Sequence, residues 1–124
     1  MAGAYDSAGE ETKAKEFYER ALELGLDGEP LRRCLCQYGS TLRWLGELDA
    51  SLAVLQRART QFPESESVRV FQSLTLNELG RADEAVGLLL GIVAEQGQLT
   101  DLGRYAAGLA GLAQWLLDGR PEGG

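Results

Sequence analysis

Two stretches of this 124-residue chain are nearly alike: residues 42–55, LRWLGELDASLAVL, and residues 76–89, LNELGRADEAVGLL. They start 34 residues apart, and in both a large residue, a turn glycine, a small residue and a second large residue follow in order. These positions are Leu42, Gly46, Ser51 and Leu55 in the first stretch, and Leu76, Gly80, Ala85 and Leu89 in the second. A fixed period of this length is the sequence signature of a helical repeat.

The recurring pattern predicts two antiparallel helices joined by a tight corner. Helices approach closely where a small residue on one faces a large residue on the other. The glycine ends the first helix, because a left-handed residue costs little only for glycine, and the second helix can then fold back. With a three-residue insertion, the pattern extends backwards to a third, incomplete copy at Tyr5, Gly9, Ala14, Tyr18 and Ala21.

Apolar residues elsewhere also recur at intervals of three and four, and no long stretch shows the period of two that a strand needs. One such set is Phe17, Ala21 and Leu24, and another is Leu31, Leu35, Tyr38, Leu42 and Leu45. We therefore predict an all-α chain. The predicted helices cover residues 2–8, 10–25, 29–45, 47–61, 64–79, 81–96 and 99–118. Their short links make successive helices antiparallel neighbours.

This spacing resembles that of the tetratricopeptide repeat family over residues 2–97. The residues that carry the resemblance best are Leu35, Tyr38, Gly39, Leu42, Gly46, Leu48, Ser51, Leu55, Ala58 and Pro63. The resemblance implies a right-handed superhelical stack of antiparallel helix pairs, with about three repeats and a C-terminal capping helix. The expected repeats are residues 2–28, 29–63 and 64–97, and the expected cap is residues 99–118. Residues 1–118 would form a single domain, and residues 119–124 a flexible tail.

Composition argues against several classes of function. The chain has 12 basic and 19 acidic side chains, a net charge of −7, which disfavours general binding to nucleic acids or anionic lipids. The longest uncharged apolar run, residues 85–94, has about half the length that a membrane-spanning helix needs. We therefore expect neither a nucleic-acid partner nor a membrane partner.

The two cysteines, Cys34 and Cys36, lie two positions apart and would point to different faces of a helix. No second cysteine pair completes a metal-binding set, so we expect reduced, buried thiols, no metal and no cofactor. Residues 1–6 lack the basic start and the apolar stretch of a secretory signal. Together with reduced thiols, this favours a cytoplasmic location.

We predict no catalytic residues. The chain has no histidine, so its thiols lack the ordinary general base that activates a nucleophile. The acidic residues of the first long helix fit a solvated outer face; they are Glu10, Glu11, Glu16, Glu19 and Glu23. No glycine-rich loop suited to phosphate binding occurs. A protein that is not an enzyme and binds other proteins is the expected function.

Charge indicates where a partner would bind. Residues 30–62 carry five basic and two acidic groups, whereas acidic groups outnumber basic ones in the rest of the chain. In tetratricopeptide repeat proteins the first helix of each repeat lines a concave groove. The resemblance therefore implies groove positions at Arg33, Cys36, Ser40, Arg43, Trp44, Val70, Leu74 and Asn77, with Arg104 and Tyr105 from the terminal helix.

Two guanidinium groups beside an indole suit an acidic peptide or a partner helix with an apolar anchor. The alternative is structural: Arg43 pairs with a neighbouring acid, and Trp44 packs between repeats.

The terminal helix offers a second surface, because its apolar residues span an arc of about 200°, roughly twice what covering one repeat requires. Gly108 and Gly111 also make this helix thin. The surplus residues are Tyr105, Leu112 and Trp115. They would be buried against a second copy of the chain or another partner, or against the end of the groove. A homodimer through this helix is therefore the alternative to groove binding.

Overall fold

The chain is helical throughout the part that the structure describes. The computed structural model describes residues 7–121, and none of these residues forms a strand. The helices are α1 (Ser7–Glu23), α2 (Gly28–Trp44), α3 (Leu48–Gln61), α4 (Glu66–Glu78), α5 (Ala82–Gln96) and α6 (Ala106–Leu117). The all-α prediction is confirmed. The helix expected at residues 2–8 lies outside the described residues except for its last two, which belong to α1.

The two similar stretches form the same kind of corner. Gly46 and Gly80 have φ values of 80° and 79°, in the left-handed region that favours glycine. In each corner the glycine amide donates to the carbonyl three residues earlier, at 3.0 Å. The next amide donates to the oxygen of Leu42 or Leu76, at 2.9 Å in both. This is the Schellman ending of a helix, and it reproduces the 34-residue period in three dimensions.

The described residues up to Phe71 form one of two compact units, here the N-terminal unit. In it α1 and α3 each pack against α2. Its buried cluster consists of Leu31, Leu35 and Cys36 from α2, Ala58 from α3 and Val68 from α4. Partly buried apolar residues surround this cluster: Leu22, Leu26, Val54, Phe62 and Phe71. This unit thus has a core of its own, built by the apolar faces that the sequence pattern predicts.

Helices α2 and α3 are in tight contact at two small residues, Gly39 and Ser51. A Cβ atom on Gly39 would lie 2.6 Å from Cγ of Leu55, which is fully buried. The hydroxyl of Ser51 donates to the carbonyl of Gly39 at 2.7 Å. A small residue therefore faces a large one at this crossing, as the repeat pattern predicts.

Polar contacts join α1 to the rest of the N-terminal unit, and two of them involve charged side chains of α1. Lys15 Nζ lies 3.0 Å from Oε1 of Glu47, beside the corner after α2. The Tyr38 hydroxyl donates to Oε2 of Glu19 at 2.8 Å. Burial, followed by this hydrogen bond and the charge of Glu19, raises the pKa of Tyr38 from 10.0 to about 12.

The raised pKa of Tyr38 predicts a loss of stability at alkaline pH. Between pH 10 and 12 the folded state keeps a proton that the unfolded state has lost, so stability falls as the pH rises through this range. Urea unfolding followed by circular dichroism at several pH values measures this slope. Tyr38→Phe has no proton to lose and should flatten it. Equal slopes in the two proteins would contradict the prediction.

Residues 72–124 form the C-terminal unit, in which α5 packs closely along α6. A Cβ atom on Gly87 would lie 2.8 Å from Cγ of Leu117 and 3.0 Å from the carbonyl oxygen of Ala113. Glycine is therefore needed for this approach. The buried apolar residues of this unit are Leu76, Ala85, Leu88, Ala94, Ala106, Ala113 and Leu116.

The prediction of one terminal helix over residues 99–118 is wrong in its first part. Two short 3-10 turns, Gly97–Leu99 and Asp101–Tyr105, precede α6. Between them Thr100 is extended, with φ −113° and ψ −176°, and its hydroxyl accepts from the amide of Leu102 at 3.1 Å. The Thr100 hydroxyl thus gives the Leu102 amide a hydrogen-bond partner that does not require a helix. Such a bond competes with the extension of α6 towards the N-terminus.

Residues 119–121, which the sequence assigns to a flexible tail, make contacts within the C-terminal unit. Arg120 Nε donates to Oδ2 of Asp83 at 2.6 Å, and its Nη2 donates to Oδ1 at 3.0 Å. The guanidinium also lies 5.2 Å from the ring centroid of Trp115, whose indole N–H donates to the carbonyl of Pro121 at 3.3 Å. This part of the tail is therefore in contact with α5 and α6. Residues 122–124 lie outside the described residues.

Candidate functional site

One face of α2 carries half of the predicted groove residues of the N-terminal unit. Arg33, Ser40 and Trp44 are spaced so that they share this face, and Gln37 lies between them. Arg33, Gln37 and Trp44 are exposed, and Ser40 is half-buried. Gln37 was not predicted from the sequence, although its position four residues after Arg33 would have indicated it. The α2 face therefore presents a cation, an amide, a hydroxyl and an indole together.

Trp44 is held at the edge of this face by its neighbour. The guanidinium carbon of Arg43 lies 5.4 Å from the ring centroid of Trp44, within the range of a cation–π interaction. Arg43 is half-buried, whereas Trp44 is 45% exposed. The predicted pair is thus brought together, and nearly half of the indole surface is accessible to a partner.

Cys36 is the exception among the predicted groove residues of α2. It is buried in the core cluster with Leu35 and Val68, so it does not line an exposed face. The prediction for Cys36 is wrong because this residue lies at the edge of the exposed face, where a neighbouring helix decides burial. Burial raises the pKa of the Cys36 thiol, and Arg32 partly offsets this effect. Cys36 and Cys34 are both free and buried, as expected.

The remaining predicted groove residues lie on α4 and on the second 3-10 turn, and all are exposed: Val70, Leu74, Asn77, Arg104 and Tyr105. Val70 belongs to the N-terminal unit and the other four to the C-terminal unit. Arg104 lies over the ring of Tyr105, with its guanidinium carbon 5.5 Å from the centroid. The ten predicted residues are thus divided between the units.

A surface depression of about 350 Å³ lies between α1 and α2. Its lining comprises Phe17, Tyr18 and Ala21 from α1, Leu26 from the turn, and Glu29, Pro30, Arg33, Cys34 and Gln37. Phe17 is 66% exposed at its edge. The depression therefore combines an apolar lining with the cation of Arg33.

Phe17 is a candidate that was not predicted from the sequence, because helical spacing does not indicate which apolar face of α1 is buried. Two apolar sets occur on α1. Tyr18 and Leu22 are half-buried, whereas Phe17 and Leu24 are exposed. A helix with two apolar sets can direct only one towards its core, and the other is left for another contact.

The described residues match neither the pattern of a metal-ligand cluster nor that of a membrane-crossing helix. Among residues 7–121, no three histidine, cysteine or acidic side chains come together as metal ligands. In the same part of the chain, none of the helices has both the length and the apolar character required to cross a bilayer.

Paired helices with identical corners, small residues at the crossings and exposed polar and aromatic faces define a helical-repeat protein. A family model described as "Tetratrico peptide repeat" matches residues 1–116. The chain therefore belongs to the tetratricopeptide repeat family, whose repeats are generally modules for protein–protein interaction and generally not enzymes. The match includes most of α6, beyond the end of the resemblance at residue 97. No curated protein matches the chain.

Proposed function

We propose that this chain is a non-enzymatic cytoplasmic interaction module that binds a protein segment on the surface formed by α1 and α2. The depression between these helices carries the proposal, because it places an exposed phenyl ring beside an exposed guanidinium. Phe17 and Leu26 suit an apolar side chain of the partner, and Arg33 suits a carboxylate next to it. The exposed positions on α4 and the second 3-10 turn stay predicted partner contacts.

Charge supports an acidic partner at this surface. Glu29, the acidic residue in the lining, is paired with Arg32 one turn further along α2. Arg33 and Arg43 add positive charge to the same helix, and residues 30–62 have an excess of three basic groups. The basic residues of α2 therefore attract an acidic segment to the side of the depression where Arg33 lies.

Selection from random peptides tests the proposal, because it does not require the natural partner to be known. Random peptides displayed on phage are selected on the immobilised full chain, and an enriched peptide is synthesised with a fluorophore. We expect the enriched sequences to combine Asp or Glu with a bulky apolar residue. In anisotropy titrations, Phe17→Ala and Arg33→Glu should each raise the dissociation constant about tenfold or more, because each removes a central contact.

Two matched variants serve as controls. Leu24→Ala removes an exposed apolar residue outside the depression, and Arg57→Glu reverses an exposed charge on α3. Both should retain wild-type affinity. If the controls weaken binding as much as the test variants do, or if the selected peptides lack acidic residues, the proposed site is wrong.

A second candidate function is self-association through α6. The exposed face of this helix carries Leu112 and Trp115, which are large and apolar. Neither residue belongs to the α1–α2 surface. Pairing through α6 would give the module two copies of its binding surface and increase its avidity for a repeated partner.

A further inference from the structure

The exposed face of α6 is unusual because none of the helix's own side chains is charged; the guanidinium of Arg120, from the segment after the helix, lies over the ring of Trp115. No residue from Ala106 to Leu117 has a charged side chain, although only one face of the helix is buried. Leu112 and Trp115 are exposed on the opposite face, and Gly108 and Gly111 lie beside them on it. Solvent-exposed helix faces ordinarily carry charged residues, so this face has the character of a contact surface.

The two glycines on this face have no packing role within the described chain. A Cβ atom on Gly108 or Gly111 would meet no atom within 4 Å. This differs from Gly87, where a Cβ would collide with Leu117. Glycine lowers the stability of an exposed helix relative to alanine. The glycines of α6 therefore leave two open positions on its surface, each next to a bulky side chain.

We propose that α6 pairs antiparallel with α6 of a second copy of this chain, around a two-fold axis between Gly111 and Leu112. This inference rests on the second candidate function. In the proposed register Trp115 of each copy lies against Gly108 of the other, and Leu112 lies against Gly111. Each bulky residue thus meets a glycine, and the two-fold axis generates every contact twice.

Charge complementarity identifies the occupant of the face as a second copy. Arg104 precedes α6 and Asp118 follows it, and both are exposed. An antiparallel arrangement brings Arg104 of each copy next to Asp118 of the other, which gives two attractive pairs. Arg120 does not oppose this arrangement, because its guanidinium is directed to Asp83 of its own chain. The antiparallel helix dipoles add to the attraction.

A single pair of short helices buries an area at the low end of stable interfaces. The dimer is therefore weak, and its population depends on protein concentration. Sedimentation velocity up to millimolar concentration should show the wild-type mass rising from that of a monomer towards that of a dimer. A full chain that remains monomeric throughout this range would overturn both the inference and the second candidate function. The peptide-binding proposal does not depend on this result.

Gly111→Glu tests the position of the interface. The substituted side chain enters open space in the monomer, so the circular-dichroism spectrum should be unchanged. Across the two-fold axis it places two like charges together in an apolar contact, and the dissociation constant should rise at least about tenfold. Gly9→Glu makes the same change in open space on α1 and should retain wild-type dimerisation. Equal effects of the two substitutions would overturn the inference.

Charge reversal tests the antiparallel register. Arg104→Glu and Asp118→Arg should each weaken self-association, because each variant places like charges opposite one another twice. An equimolar mixture of the two variants has opposite charges in both pairs, and it should form a heterodimer at concentrations where each variant alone is monomeric. If the wild-type chain dimerises but the mixture of the two variants stays monomeric, the antiparallel register is wrong. Self-association itself would still stand.

Discussion

Replacing Leu35 with alanine should lower the free energy of unfolding of the N-terminal unit by about 3–5 kcal/mol. Leu35 has an exposure of 0% and lies in the core cluster with Leu31, Ala58 and Val68, contributed by three different helices. Truncation removes apolar contacts and leaves a cavity that helices crossing at this point cannot readily close. Since the stability of a domain is about 5–15 kcal/mol, a loss of this size removes a large fraction of it.

Urea unfolding followed by circular dichroism measures the effect of Leu35→Ala. The matched control is Leu24→Ala, which removes the same atoms from a side chain that is 83% exposed. The control should change the free energy of unfolding by no more than about 0.5 kcal/mol. If Leu35→Ala were as stable as Leu24→Ala, Leu35 would not be at the centre of this core.

Gly39→Val should also destabilise the N-terminal unit, by about 3 kcal/mol. Even the Cβ atom would lie 2.6 Å from Cγ of Leu55, and the two valine methyl groups would add to the collision. Leu55 has no solvent-exposed side to move into. Separation of α2 and α3 would in turn stretch the 2.7 Å hydrogen bond from Ser51 to the Gly39 carbonyl.

The double variant Gly39→Val/Leu55→Ala separates steric collision from other effects of the substitution. Removing the Leu55 side chain makes room for valine. The double variant should therefore lose less free energy of unfolding than the sum of the losses in the two single variants. Gly91→Val makes the same change in open space on α5 and should be well tolerated. If the losses of the two single variants simply added up in the double variant, the valine at position 39 would not collide with Leu55.

The corners of the fold could be predicted from the sequence because they depend on local interactions. The Schellman endings at Gly46 and Gly80 need only a glycine at the right distance after the last helical residues. The meeting of a small and a large residue at Gly39 and Leu55 was predictable for a similar reason, since the repeat places both at fixed positions.

Other features depended on neighbours that periodicity does not reveal. Cys36 lies at the edge of the exposed face of α2, and it is buried in a cluster that also includes residues of α3 and α4. Phe17 belongs to one of two apolar sets on α1, and helical spacing does not indicate which set faces the core. The α6 helix begins later than predicted, after a segment in which the Thr100 hydroxyl accepts from the Leu102 amide. Thr100 is visible in the sequence, but the apolar residues on both sides of it favoured one continuous helix.

The self-contained corner has a consequence for how such a chain changes in length during evolution. The backbone hydrogen bonds that close the Gly46 corner join residues within one short segment, and so do those at Gly80. A tandem duplication of the corresponding coding segment therefore supplies a fold-back that needs no adjustment elsewhere. Growth and shortening by whole segments are tolerated, whereas an insertion of one or two residues inside a corner removes the glycine from its required position.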